Sequence, residues 1–479
     1  MERFILFFSL VLVVSCTGKS NSNKVKLNHI QLIGSHNSYK TAIEPALLEW
    51  IEESNPDAAK SLDYDHLPIW KQLDLGLRVL ELDVFHDPEG GRFSKPLGLE
   101  RLREAGLPLV PYDEAAKLSL PGFKVFHLQD LDFRSHFLLF REYLEELKNW
   151  SLLNPNHLPV FITINAKDGK YPELGLTEPL DFDAPAFKAL DDTINKVFGP
   201  EKLLMPKNIK NGHENLEAAV TQGGWPELDA TRGKFVFILD EKGVKMEQYL
   251  LNDPQLDQSV MFVDKKEGDP LAAIRIINDP IENHEYIQTL VKKGYLVRTR
   301  ADADTREARK NDTKRRKMAF FSGAQLISTD YYLPDSTIST AYQVVFETGS
   351  YQRINPFFEG KWAGKGQLEE GLQAVVPLDP SEFFMADKKM VNFLLDVRTQ
   401  QEVDEGIIPQ ATHIDFLKDD FEDKVVLLDK EKPILVYCKV GGRSAKASEK
   451  MLKLGFKKVY HLEGGMDDWK ESGFPIENK

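Results

Sequence analysis

Groups able to move protons or hold charge stand at the ends of apolar runs in this chain. Gly34-Ser35-His36-Asn37-Ser38-Tyr39 closes the run Ile30–Ile33, and Glu81-Leu82-Asp83 continues Val79-Leu80. His127 follows Val125-Phe126, and Asn165-Ala166-Lys167 follows Val160–Ile164. Later come Arg298-Thr299-Arg300-Ala301-Asp302 and Ser328-Thr329-Asp330-Tyr331-Tyr332. Glu81 and Asp83, two apart on a strand, point to the same face. Adjacent carboxylates repel unless a cation or a proton lies between them. Calcium takes six to eight oxygens, from Asp, Glu and Asn side chains and from water. Asn37 and Asn165, at neighbouring strand ends, offer two more oxygens. Two histidines beside such a set suit metal-assisted acid–base chemistry on a phosphodiester.

Short strands must hold these groups. Eight apolar runs read as parallel strands: Ile30–Ile33, Val79–Val84, Lys124–His127, Val160–Ile164, Phe235–Leu239, Val260–Val263, Tyr295–Val297 and Gln325–Ser328. Phe137, Phe140, Leu144 and Leu147 repeat at helical spacing between them, as do Phe187, Leu190, Ile194 and Phe198. The alternation predicts an α/β fold, and a count near eight predicts a (β/α)8 barrel, whose chemistry lies at the C-terminal ends of its strands. Asn355–Gly366, rich in Gly and Pro, predicts a boundary. Beyond it a second, smaller α/β pattern has strands at Phe393–Arg398, Ile434–Tyr437 and Val459–Leu462, with a helix over Ser444–Leu454.

The chain has 479 residues and a net charge of -14. That size suits one barrel and a smaller domain, and the acidic balance argues against a nucleic-acid partner. Arg3 and the short apolar stretch Ile5–Val14 read as an export signal. The segment ends Val13-Val14-Ser15-Cys16, which resembles a bacterial lipobox and predicts lipidation of Cys16. The protein is thus expected to be exported and lipid-anchored on the periplasmic or cell-surface side of a bacterial membrane. With 2 Cys in all, lipidated Cys16 leaves Cys438 as the one free thiol and no intrachain disulfide. The expected plan is a signal and lipidated Cys over 1–16, a tether over 17–27, a barrel over 28–357, a linker over 358–375 and the small domain over 376–479.

The stretches IGSHNSYK, LELDVFHDPEGG, GFKVFHLQDLDFRS, GGWPEL, TRGKFVFILD, GYLVRTRADADTREARKND and SGAQLISTDYY resemble the calcium-dependent phosphoinositide phospholipase C family of bacteria. The resemblance implies that His36 and His127 act on a phosphodiester and that Asn37, Glu81 and Asp83 hold Ca2+. It also implies a phosphoinositol-type phospholipid substrate at a membrane, cleaved to diacylglycerol and a cyclic inositol phosphate. One position departs from the family pattern. Asn165-Ala166-Lys167 stands where that family typically has Glu, then Lys two residues on, so Asn165 offers an oxygen without a charge. Weaker calcium binding is the expectation. Lys167 is placed to meet a phosphate oxygen. Arg298 and Arg300 suit either substrate or a salt-bridged rim, and Asp330 and Tyr331 are further substrate-binding candidates. The base and acid roles of the two histidines stay open. Glycerophosphodiester phosphodiesterases use a similar Glu-x-Asp pair, but they usually carry His-Arg where this chain has His36-Asn37. A catalytically weak phosphoinositol-binding module is the other alternative.

In the tail, Cys438-Lys439-Val440-Gly441-Gly442-Arg443 joins a strand to a helix. The glycines let backbone N–H groups turn inward, and the helix N-terminus adds positive potential; both favour a thiolate. With Leu395-Asp396-Val397-Arg398, Gly406-Ile407-Ile408-Pro409 and Leu462–Trp469, this resembles a single-domain rhodanese. The resemblance implies Cys438 as nucleophile, Arg443 as a substrate contact, and a sulfur donor or thiol as partner. An inert rhodanese-like binding module is the alternative, and a buried Cys438 would favour it.

Overall fold

The computed structural model describes residues 24–335, 337–338, 341–361, 368–369, 374–381, 383–384, 393–430, 434–456 and 458–477. The expected signal segment and Cys16 lie outside the described residues. The first sheet holds β1 (Ile30–Ser35), β2 (Val79–Phe85), β3 (Lys124–Val125), β4 (Val160–Ala166), β5 (Phe235–Leu239), β6 (Met261–Val263), β7 (Ile274–Ile276), β8 (Leu296–Arg300), β9 (Leu326–Thr329) and β10 (Gln352–Ile354). Eight of them run parallel in the order β6-β5-β4-β2-β1-β9-β8-β7, and a parallel bridge from Asp264 to Ile274 brings the two ends together. The result is a nearly closed (β/α)8-type barrel.

The predicted number of barrel strands is right, but one member is wrong. Lys124–Val125 is a two-residue antiparallel strand on the end of β2, with Phe126 in an aromatic cluster with Phe85 and Phe93 outside the barrel. The missing member is β7. Its sequence Ile274-Arg275-Ile276 does not read as an apolar run, because Arg275 is buried on Asp264, 2.6 Å away.

Helices cover the strands as their spacing requires. Phe187, Leu190, Ile194 and Phe198 all lie on the buried face of the helix Ala184–Phe198. Its N-cap is Asp183, whose side chain accepts from the Ala186 N–H at 2.9 Å. Burial of each such side chain contributes about 1.5–3 kcal/mol. Among the described residues no helix is long and apolar enough to cross a membrane.

A second sheet of five parallel strands follows in the order β11-β15-β14-β12-β13: β11 (Ala374–Leu378), β12 (Phe393–Asp396), β13 (Thr412–His413), β14 (Ile434–Tyr437) and β15 (Lys458–Leu462). The helix Gly442–Lys453 packs on it. Tyr332 and Tyr351 of the barrel share one apolar cluster with Leu462 and Trp469 of the second unit. Between the units, Glu369 accepts from Arg78 at 2.9 and 2.6 Å beneath β2.

Candidate active site

The site grows from the close approach of β1 and β2. Gly34 pairs with Val79, and a Cβ on Gly34 would lie 1.7 Å from the Val79 carbonyl oxygen. Only glycine lets the strands meet there. The loop after β1 is then stitched down on both sides. His36 N–H donates to Thr329 O at 3.0 Å, Ser38 N–H donates to Glu81 O at 3.0 Å, and Glu81 N–H donates to Ser38 Oγ at 2.8 Å. His36 is thereby fixed above Glu81, with its Nε2 3.8 Å from Glu81 Oε1.

Each histidine is held by its own buried carboxylate. His36 Nδ1 lies 2.8 Å from Asp330 Oδ1, and Asp330 Oδ2 accepts from Arg300 at 3.0 Å. Arg300 Nη1 lies 3.3 Å from His36 Nε2. A guanidinium has only donors, so Nε2 is the acceptor and Nδ1 carries the proton. Burial and the Arg300 charge push His36 well below the usual imidazole range. His127 Nδ1 lies 2.9 Å from Asp132 Oδ2, and Asp132 Oδ1 accepts from Lys40 at 3.0 Å. Burial would raise the Asp132 carboxyl, but Lys40 and His127 outweigh it and hold it below its ordinary value. Lys40 and Asp132 are fully buried, while His127 keeps a quarter of its side chain exposed to the cleft.

Between the two dyads lie the paired carboxylates. β2 and β4 are in register with Asp83 opposite Asn165. The Asn165 amide donates to Glu81 Oε1 at 2.7 Å and to Asp83 Oδ1 at 3.0 Å. Lys167 Nζ lies 3.0 Å from Asp83 Oδ2, and Arg298 is ion-paired with Glu81 Oε2. Burial works to raise the Asp83 carboxyl, yet Lys167 and His127 bring it below its ordinary value. Asn37 turns its amide to Tyr64 OH at 2.8 Å.

The expected residues therefore do not all gather in one place. His36, Glu81, Asp83, Asn165, Lys167, Arg298, Arg300 and Asp330 form one hydrogen-bonded cluster, and His127 adjoins it. Asp330 holds His36, whereas the sequence reading placed it on substrate. Tyr331 stands apart, buried edge-on against Tyr342 with no partner for its hydroxyl among the described residues. It lines a cavity of about 330 Å³ with Tyr64, His66, Asp330 and Tyr332, beside the His36 dyad. Sequence reasoning missed Lys40, Asp132 and His66. The His66 Nε2–H donates to the His36 carbonyl at 2.7 Å and so braces the loop after β1.

The donor set also tests the family's cation. All four oxygens of Glu81 and Asp83 already face N–H donors from Asn165, Arg298 and Lys167. Among the described residues, no group of three or more His, Cys, Asp and Glu converges as metal ligands. Calcium takes six to eight oxygens, and here both carboxylates that would bring charge to it are already ion-paired within the chain.

In the tail, Cys438 is fully buried at the end of β14. Gly441, with φ +84°, turns the loop into the helix. A Cβ at Gly465 would strike the Lys439 carbonyl at 2.5 Å, so the Glu463-Gly464-Gly465 turn presses directly on the thiol loop. Arg443 makes a two-pronged pair with Glu402 at 2.8 and 2.5 Å, and this pulls the Glu402 carboxyl down to about 2. Sequence reasoning missed Glu402.

Comparison with known proteins gives two matches along the chain. The family described as phosphoinositide phospholipase C, Ca2+-dependent, matches residues 25–356, and the rhodanese-like domain matches residues 384–472. The fold is similar to a calcium-dependent phosphoinositol-specific phospholipase C from a Pseudomonas species, at 16% identity and TM-score 0.40, over 70% of this chain and 96% of that one. It is also similar to a calcium-dependent phosphatidylinositol-specific phospholipase C of Streptomyces antibioticus, at 17% identity and TM-score 0.39, over 64% of this chain and 95% of that one. The tail is 39% identical over 84 residues to the thiosulfate sulfurtransferase GlpE of Coxiella burnetii, covering 17% of this chain and 76% of that protein.

Proposed function

The chain belongs to the calcium-dependent phosphoinositide phospholipase C family and carries a rhodanese-like domain at its C-terminus, and from that membership we propose that its barrel cleaves phosphatidylinositol-type lipids to diacylglycerol and a cyclic inositol phosphate. The observation that carries the reading is the pair of imidazoles. Each is pinned at Nδ1 by a buried carboxylate, which fixes the ring, and both border the Glu81–Asp83 pair.

The roles follow from the surroundings of each ring. His36 is neutral with its lone pair on Nε2, so it takes the proton from the inositol 2-hydroxyl. That oxygen bonds to phosphorus as the bond from phosphorus to the glycerol oxygen breaks. His127, held at Nδ1 by Asp132, donates its Nε2 proton to the departing oxygen. Lys167, with 31% of its side chain exposed, is the cation that meets a phosphoryl oxygen. Each proton transfer contributes roughly 10²–10⁴ in rate. The cavity beside Asp330, walled by Leu67, Pro68, Tyr332, Leu333 and Pro334, suits the apolar part of a lipid. Anchoring through Cys16 would hold the protein at a membrane.

For the tail, the six-residue loop from Cys438 to Arg443 supports transfer of a sulfane sulfur through Cys438. Burial of the thiol favours the inert alternative, and persulfide formation on incubation with thiosulfate, read by mass, decides between them.

The barrel is tested with phosphatidylinositol vesicles and the mature protein. Release of water-soluble inositol phosphate that is lost in His36→Ala supports the reading. No release from folded wild-type protein overturns it.

A further inference from the structure

We propose that this site is charge-balanced by the chain's own Arg298 and Lys167 and cleaves its phosphodiester without calcium. The inference rests on the reaction class proposed above, but its decisive test does not.

Glu81 and Asp83 bring two negative charges into the barrel mouth, with side chains 5% and 3% exposed. Arg298 and Lys167 bring two positive charges onto them. These four charges balance one another, with Asp240 the next carboxylate, 3.8 Å from Arg298 Nη1. Each carboxylate oxygen also already has a donor. Glu81 gives one oxygen to Arg298 and one to Asn165, and Asp83 gives one to Asn165 and one to Lys167. Asn165, directly opposite Asp83, adds no charge that would call for a divalent ion.

The two cations differ in how they could give way. Lys167 has a partly exposed end on a flexible stem and can swing from Asp83 to substrate. Arg298 cannot. Its side chain is 2% exposed, its Nη1 is held by Asn278 Oδ1 at 2.5 Å, and its Nε has no partner among the described residues. An ion that took Glu81 from Arg298 would leave the buried guanidinium only Asp240, 3.8 Å from its Nη1, as a carboxylate partner, which is unfavourable. Arg298 thus fixes Glu81 and fills the electrostatic place of a metal, acting as a positioning residue. Lys167 supplies the mobile positive charge at the phosphoryl oxygen.

The test is calcium titration of the full mature protein by calorimetry, with vesicle cleavage in calcium or chelator run beside it. Wild type is expected to show no binding tighter than about 1 mM, the weak end for protein calcium sites, and cleavage rates within twofold of each other in the two conditions. Asn165→Glu adds a third carboxylate and an unbalanced charge. It is expected to bind calcium at least tenfold more tightly and to melt at higher temperature as calcium is added. Arg298→Met, which frees Glu81 Oε2, is expected to gain calcium affinity as well, and serves if Asn165→Glu does not fold. Micromolar calcium binding by wild type that disappears in Asp83→Asn would overturn the proposal, as would a tenfold or greater loss of cleavage in chelator. Binding that persists in Asp83→Asn lies elsewhere and leaves the proposal standing. Absence of cleavage in both conditions would refute the reaction class, while calorimetry would still decide the calcium question.

Discussion

Replacing Asp132 by Asn isolates the acid half of the proposed reaction. The Asp132 carboxylate accepts from His127 Nδ1 at 2.9 Å and from Lys40 at 3.0 Å, and both Lys40 and Asp132 are fully buried. An amide of the same shape has one oxygen for these two donors. With the amide oxygen turned to Lys40 Nζ, the amide N–H faces His127 Nδ1. The ring is driven to the neutral form with its proton on Nε2, a far weaker acid than imidazolium. Loss of general acid catalysis costs roughly 10²–10⁴ in rate, or about 2.7–5.4 kcal/mol of barrier. Leaving Lys40 without a counter-charge costs about 3–5 kcal/mol of stability, so the variant is assayed well below its midpoint of unfolding. Two substrates are compared: phosphatidylinositol, whose glycerol oxygen needs a proton to leave, and an inositol nitrophenyl phosphate, whose phenolate does not. The expected result is the full loss on the lipid and a loss of tenfold or less on the aryl ester. Equal losses on both substrates would refute the acid role of His127, because misplacement of the whole site affects both alike.

Other parts of the molecule give further expectations. Gly34→Ala should lower stability by about 3–5 kcal/mol, read as a fall in the denaturant midpoint, since its Cβ would collide with the Val79 carbonyl; a change under 1 kcal/mol would contradict the close strand approach. Burial pushes the Asp191 carboxyl up to about 7 from an ordinary 3.8, so the folded state binds a proton there that the unfolded chain releases near pH 4. Its contribution is most favourable below pH 4 and is lost as pH rises to 7. Asp191→Asn should therefore gain on wild type across that window, by about 2–4 kcal/mol at pH 8, and a thermal difference that does not change with pH would count against it. Glu369→Gln should cost about 3–5 kcal/mol, because Arg78 is left buried with a neutral partner; an unchanged melting temperature would show that the pair contributes nothing.

Much of the site was legible because strand periodicity ties residue type to direction. Glu81 and Asp83 had to share a face, and His36 had to follow β1, so the polar ends of the apolar runs located the chemistry. Pairing across the chain was not legible. Asp132 lies in the quoted stretch around His127, yet nothing local says that Lys40, from another loop, completes its environment. Arg298 and Arg300 looked alike on one strand, but one braces Glu81 and the other Asp330. The strand errors share a cause. Val125-Phe126 is apolar because it packs outside the barrel, and β7 is broken by an arginine whose partner Asp264 lies on a different strand end. In the tail the Cys438 loop was readable from its glycines, while Glu402, the partner of Arg443, was visible only once the helix Gln400–Val403 was placed.

The central claim is that two carboxylate-held histidines drive attack by the neighbouring hydroxyl of the substrate on its own phosphorus. Phosphorus NMR of phosphatidylinositol cleavage by the mature protein tests it directly. The account predicts that a five-membered cyclic phosphodiester appears first and that its formation is abolished in both His36→Ala and His127→Ala. Direct appearance of a phosphomonoester with no cyclic species, or cyclic product still formed at the wild-type rate by either variant, would contradict it.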